Sequence, residues 1–335
     1  MKIRFTMPVI LFATSPLVIA AAFVCSVWLG AKSIDARTVW DALFHFDAGN
    51  IDHQIVVHSR VPRAVGGLLI GAFLAVSGAL MQGMTRNYLA SPSIMGVSDG
   101  AAFAITLCTV IMPGGSTPFE LILYSLVGSA LGVGLVFGLA TLLPDGLSPV
   151  RLAILGTIVG TFLSSVSAAM ASYFQVSQTI SFWFNARLHQ MDPSLLRLAI
   201  PFAIVGLALA ALLSKQITLL SLGDDVAAGL GQRSALVKAG ATLAVVILTG
   251  ISVALAGKIA FVGLIIPHIA RYFTGVDYRK IVPLSAVLGA VFLAVCDIGS
   301  RFMNAPFETP IGVVTAVIGV PFFLCLIRTK GGRHA

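Results

Sequence analysis

A chain of 335 residues that is 58% hydrophobic and 10% charged departs from the ~45–50% apolar and ~25% charged make-up of soluble domains, which excludes one ordinary globular core. The formal net charge of +8 says nothing about nucleic acid, because the basic residues stand between apolar blocks, where they set membrane topology. Cys25, Cys108, Cys296 and Cys325 lie singly inside apolar blocks, with neither disulfide nor metal-site spacing, and read as packing residues.

The first apolar block carries no charge between Arg4 and Lys32. That is too long for the ~7–15-residue core of a signal peptide, so it is read as an uncleaved first transmembrane helix near 8–30. Nine further spans follow near 60–84, 94–112, 118–143, 150–173, 196–214, 236–256, 260–273, 281–300 and 308–328. Most approach the ~20 residues that cross a bilayer. Hydrocarbon forces every backbone polar group to bond internally, and without strand-type alternation the answer is a helix bundle. The fold class is therefore all-α, a polytopic membrane protein of about ten helices, with residues 1–335 as a single transmembrane domain. The eighth span is short and holds Gly263 and Pro267, so a bent or broken helix is expected there.

Small residues recur at four-residue spacing in the second, fourth and fifth spans: Gly67, Gly71 and Ala75, then Gly128 and Gly132, Gly134 and Gly138, Gly156 and Gly160. Such stripes let helix backbones approach closely where lipid removes the hydrophobic drive. Sorting the loops by side puts thirteen of the 21 Lys and Arg on the side of the termini, which the positive-inside bias makes cytoplasmic. The remainder on the outer side includes Arg60, Arg63 and Arg301.

Residues 221–232 form a polar cytoplasmic connection with a pattern of their own. Leu222, Val226 and Leu230 recur every four residues, Asp224 and Asp225 suit the first turn of a helix, and Gly229 or Gly231 can end it. A short amphipathic helix of this kind either docks in a groove of a soluble partner or lies flat on lipid. Inside the spans, Asp99, Asp297 and Glu120 are the ionisable candidates. Asp99 and Asp297 stand near helix ends, where a structural pairing is cheap, and His268 after Pro267 reads as packing. No His-Glu-x-x-His occurs, which speaks against a zinc-dependent intramembrane enzyme. No phosphate-cradling loop is present either, since Gly257-Lys258 is followed by Ile259 and position 252 is Ser; ATP hydrolysis would have to reside in another subunit.

The run Arg60-Val-Pro-Arg63, Gly71-Ala-Phe-Leu-Ala-Val-Ser-Gly78, Gln82, Arg86-Asn-Tyr-Leu-Ala-Ser-Pro92 and Gly96-Val-Ser-Asp-Gly100 resembles the opening signature of the FecCD permeases. The second half agrees through Gly223-Asp-Asp, Gly257-Lys-Ile-Ala-Phe-Val-Gly-Leu-Ile-Ile-Pro-His268-Ile-Ala-Arg271, Glu308-Thr-Pro-Ile-Gly-Val-Val-Thr315 and Gly319-Val-Pro-Phe-Phe323. The likeness spans residues 55 to 328 and looks most similar to Gram-positive siderophore permeases of the bacillibactin-uptake type. Tyr88 departs from the proline usual in the family.

The resemblance implies a ten-helix importer permease for a ferric siderophore, haem or vitamin B12, with a ferric siderophore as the favoured cargo and no cofactor of its own. It implies as partners a second permease subunit, identical or similar, two cytoplasmic ATPase subunits and an extracytoplasmic siderophore-binding lipoprotein. Leu222, Gly223, Asp224, Asp225, Val226 and Leu230 would couple to the ATPase. Arg60, Arg63 and Arg301 would receive acidic residues of the binding protein as charges on the outer rim. By the same resemblance the route follows the dimer axis along the fifth and tenth helices, closed on the cytoplasmic side near Leu147, Ser148, Pro149, Val150 and Arg151. The competing class is an ion-coupled secondary transporter, which needs ion sites near mid-membrane.

Overall fold

The computed structural model describes residues 3–112, 115–143, 148–184, 187–304 and 307–331. Among them run fourteen α-helices. α1 (Ile3–Trp28) is followed on its connection by α2 (Ala36–Phe44) and α3 (Ile51–Ile55), and a π-helical turn over Val56–Arg60 then leads directly into α4 (Val61–Thr85). Next come α5 (Val97–Ile111), α6 (Pro118–Thr141), α7 (Pro149–Tyr173) and the short α8 (Ser177–Phe184). The chain continues through α9 (Pro193–Ser221), α10 (Asp224–Gly229), α11 (Ser234–Ala256), α12 (Val262–Thr274), α13 (Tyr278–Phe302) and α14 (Ile311–Gly331).

Seven of these segments are long and apolar enough to cross a membrane. α5, α12 and α14 add three shorter helices, and the ten together fall in order on the ten spans expected from the sequence. Local chemistry starts and stops them. Asp35, Asn50, Asp192 and Asp277 each accept a backbone N–H at a helix N-terminus. Thr117 and Glu120 close a reciprocal capping box on α6, so Glu120 serves the helix start.

α4 is the hub. It packs against α13, α11, α12 and α9, and Ile70, Phe73, Leu80 and Met81 along it are fully buried in the main core. The contacts are backbone-close. A Cβ on Gly71 would meet the carbonyl of Gly289 in α13, and one on Gly78 would meet the carbonyl of Gly263 at the start of α12. Gly100 of α5 and Gly128 and Gly132 of α6 interlock in the same way, and Gly156 of α7 lies against Ile94. The expected close packing therefore holds for Gly71, Gly128, Gly132 and Gly156. It does not hold for Gly134 and Gly138, where a Cβ would meet nothing within 4 Å; spacing alone cannot say which face of a helix has a neighbour.

The irregular point near the eighth span also lies elsewhere than at its proline. α12 runs through Pro267 without interruption, whereas residues 257–261 between α11 and α12 are non-helical. Phe261 sits there in the left-handed region with φ 69°, costly for a non-glycine residue. Its ring takes the space a side chain on Gly319 would need.

Candidate functional site

Three polar constellations interrupt the apolar bundle, and each is assembled from helices distant in sequence. The first lies at the end where α1 and α13 finish and α4 begins. Asp297 of α13 takes Arg63 in a fork, Nε to Oδ1 at 2.9 Å and Nη2 to Oδ1 at 2.8 Å. The other arm of Arg63 reaches Glu308 at 2.8 Å. Arg301, one turn further along α13, bonds the second oxygen of Asp297 and donates to the Ser26 carbonyl at 2.6 Å and to that of Leu29. Arg60 donates to the carbonyls of Val27 (3.0 Å), Trp28 (2.8 Å) and Lys32.

The physical reason is the C-terminus of α1. A helix leaves its last carbonyls without partners, α1 has no basic residue in its own last turn, and Arg60 and Arg301 supply the missing donors from two other helices. All three arginines are nearly inaccessible, at 5%, 7% and 2% exposure for Arg60, Arg63 and Arg301. They lie inside this end of the bundle and not as exposed charges on its rim. Each guanidinium is held by internal acceptors, so charge-reversing Arg60 and Arg63 would damage the fold and could not isolate a docking effect. Lys32 and Asp52 make an exposed ion pair beside them.

The second constellation sits about midway along α7. Lys258, in the non-helical stretch after α11, reaches Asp99 Oδ1 at 3.0 Å, and Ser164 Oγ donates to the same oxygen at 3.1 Å. Asp99 lies in the first turn of α5 and against Gly160 of α7, so the pair ties three helices together. Beside it lies a cavity of about 270 Å³ with Ser167, Ser177 and Ser181 on its wall. The structural role expected for Asp99 and Asp297 matches these partners. Sequence reasoning did not supply Lys258 as the partner of Asp99; the signal available was its position next to Gly257 inside an otherwise apolar run.

The third constellation is at the opposite end. α10 begins with Asp224 and Asp225 and leaves Leu222, Val226 and Leu230 exposed at 56%, 47% and 64%. Gly223 and Gly231 flank it with φ of 134° and 78°, conformations that glycine adopts without strain. Asp224 is gripped from both sides, by Arg86 at 3.0 Å and by Lys238 at 2.8 Å, which fixes α10 to the last residue of the α4 turn and to α11. Nearby, Arg271 of α12 bonds Tyr278 at 2.8 Å and Gln82 at 3.3 Å, with Tyr88 stacked 4.1 Å from its guanidinium carbon. The departure at Tyr88 thus supplies a cation–π contact. The ring of His268 packs edge-on against Phe322.

Of the proposed gate residues, Leu147 lies outside the described residues. Ser148 stands at the N-cap of α7 with Pro149 at its first position, and Val150 and Arg151 are exposed. Val150 opens a stripe continued by Ile154, Ile158 and Phe162; these are spaced every four residues and share one face.

The model of the FecCD transport family matches residues 17–329. The iron-uptake system permease protein FeuB of Bacillus subtilis is 59% identical over 325 residues, 97% of each chain. The iron(3+)-hydroxamate import system permease protein FhuB of the same organism is 50% identical, covering 96% of this chain and 83% of that one. Among solved structures, a metal-chelate type ABC transporter in an inward-facing conformation superposes with a TM-score of 0.82 at 27% identity, over 96% of this chain and 99% of that one.

Proposed function

The chain belongs to the FecCD transport family, and from that membership we propose that it carries a ferric siderophore across the cytoplasmic membrane as the permease of an ATP-driven importer. It is a multi-pass membrane protein and a permease subunit of an ABC importer, a machine that works with ATPase and substrate-binding subunits and hydrolyses ATP in the former. The cargo reading is supported by the relatives at 59% and 50% identity, whose names give iron uptake and iron(3+)-hydroxamate import.

The observation that carries the coupling part is the exposure of Val226 on α10 and of Leu222 and Leu230 on either side of it. Apolar residues on a polar connection beyond the membrane spans need a partner surface, and a helix laid in a groove of the ATPase buries them. Both termini then face the cytoplasm, in keeping with the basic residues on that side. A second permease chain, identical or similar, covers the Val150–Ile154–Ile158–Phe162 stripe of α7 and the exposed Val313, Val317, Val320 and Leu324 of α14, and residues 147–151 gate the route between the two copies.

At the other end a siderophore-binding lipoprotein docks. There Arg60, Arg63 and Arg301 outweigh Asp297 and Glu308 by one positive charge, so they attract an acidic partner through their field while holding the end rigid.

Replacing Leu222, Val226 and Leu230 together by Asp tests the coupling. The variant permease is expected to reach the membrane and to lose the ATPase on affinity purification. A complex that stays intact contradicts the reading.

A further inference from the structure

A groove of about 590 Å³ opens between α6 and α11 at the end that carries α10, within the ~300–1,000 Å³ of small-molecule sites. Met84 and Thr85 of the last α4 turn lie at its base, and Val133, Phe137, Thr242 and Val246 line it. Most of this lining is apolar. The groove opens sideways: a Cβ on Gly134 would meet nothing within 4 Å, and Leu135, Leu139 and Leu243 around it are exposed on spans long enough to cross a membrane. Those residues face hydrocarbon in a bilayer.

The mouth of the groove is different. Arg86, Asp224 and Lys238 stand there, with both cations on the one carboxylate at 3.0 and 2.8 Å. Asp225, the neighbouring acid, is exposed and does not line it. Two cations sharing one carboxylate leave a positive charge uncompensated, and an arginine and a lysine together hold more N–H donors than one carboxylate accepts. An apolar slot open to hydrocarbon, capped at the membrane surface by unbalanced positive charge, has the chemistry of a phospholipid with an anionic headgroup.

We propose that the α6–α11 groove binds one anionic phospholipid, an acyl chain lying along Val133, Phe137 and Val246 and the phosphate between Arg86 and Lys238. A polar iron chelate does not fit an apolar groove that faces lipid. An ATPase subunit, being outside the membrane, does not reach between two spanning helices. The bound phosphate competes with Asp224 for Arg86 and Lys238, and these two side chains hold α10 against α4 and α11. Anionic lipid therefore loosens the start of α10 and changes how firmly its apolar stripe is presented. That consequence rests on the coupling role given to α10 above; the lipid site itself does not.

The test uses the whole purified transporter. Native mass spectrometry follows retention of phosphatidylglycerol against phosphatidylcholine, and a phosphatidylglycerol bearing a photoactivatable acyl chain maps the contact. The wild type is expected to retain phosphatidylglycerol preferentially and to cross-link on α6 and α11. Gly134→Phe, which fills the slot, should abolish both, and Ala239→Phe on the opposite wall serves if that variant misfolds. Arg86→Gln with Lys238→Gln should lower phosphatidylglycerol retention about thirtyfold, the order of two lost headgroup contacts, and leave phosphatidylcholine unchanged.

Equal retention of the two lipids by the wild type overturns the proposal, as do cross-links elsewhere or an ATPase subunit cross-linked into the groove. ATP hydrolysis in nanodiscs with graded phosphatidylglycerol reads the consequence separately. Preferential binding without any change in hydrolysis removes the link to α10 and leaves the lipid site standing.

Discussion

Asp297 is shared by two guanidiniums, those of Arg63 and Arg301, and all three groups are buried. Breaking a buried ion pair from one side leaves charge without compensation and costs ~3–5 kcal/mol, far more than the intact pair contributes. Asp297→Asn, which preserves shape and removes the charge, is therefore expected to lower the melting temperature in detergent sharply or to abolish monodisperse protein; an unchanged melting curve contradicts the account of the cluster.

Asp277 is the contrasting case. Its carboxylate caps α13, and hydrogen bonding from Arg279 holds it below the usual carboxylate range. A depressed folded-state value means its contribution is present above the unfolded carboxylate range and lost as pH falls through the folded one. Its pairing is largely exposed and screened, so Asp277→Asn should shift stability slightly near neutral pH and not at all at strongly acid pH, as read by melting curves across pH.

The arginines show what a sequence conveys at this scale. Arg60, Arg63 and Arg301 could be singled out from their motifs and from the excess of outer basic charge. The burial of Arg60 and Arg301 could not, because they reach carbonyls of Val27, Trp28 and Leu29 and a backbone carbonyl has no sequence signature; that of Arg63 could not, because its carboxylate partners Asp297 and Glu308 lie more than two hundred residues away.

Among the helices, glycine decides which surfaces touch. Gly78→Ala places a methyl group against the Gly263 backbone, and backbone, unlike a flexible side chain, cannot give way at small cost. That variant should express poorly or melt well below the parent. Gly134→Ala, where a Cβ meets nothing within 4 Å, should behave as the parent does. Thermal stability assayed by size-exclusion chromatography separates them, and equal tolerance at both positions contradicts the assigned helix crossings.

The stripes of small residues were legible as a class, but spacing could not distinguish Gly128, locked against Gly100, from Gly134, which stands at an open groove. α10 was legible in its acidic first turn and flanking glycines, which are local, whereas the helix covers only Asp224–Gly229 and leaves Leu222 and Leu230 just outside it. The break at 257–261 was displaced from Pro267 because a proline announces a missing hydrogen bond, whereas the close approach of Phe261 to Gly319 is a tertiary event.

For the whole molecule, the ten spans were read from block length alone, because hydrocarbon imposes one requirement on every segment that crosses it. Membership of the importer class also reduces the standing of the ion-coupled alternative. Asp99, a carboxylate packed against the middle of α7, is engaged by Lys258 and Ser164. The ATPase of an importer in this family is a separate subunit, and the proposed point of coupling to it is the exposed set Leu222, Val226 and Leu230. The most direct measurement is uptake of a radiolabelled ferric siderophore into proteoliposomes containing the permease, with its binding protein outside and ATP inside. Uptake should require both ATP and the ATPase subunit and should vanish when Leu222, Val226 and Leu230 are replaced by Asp. Uptake driven by an ion gradient in vesicles lacking the ATPase would contradict the account.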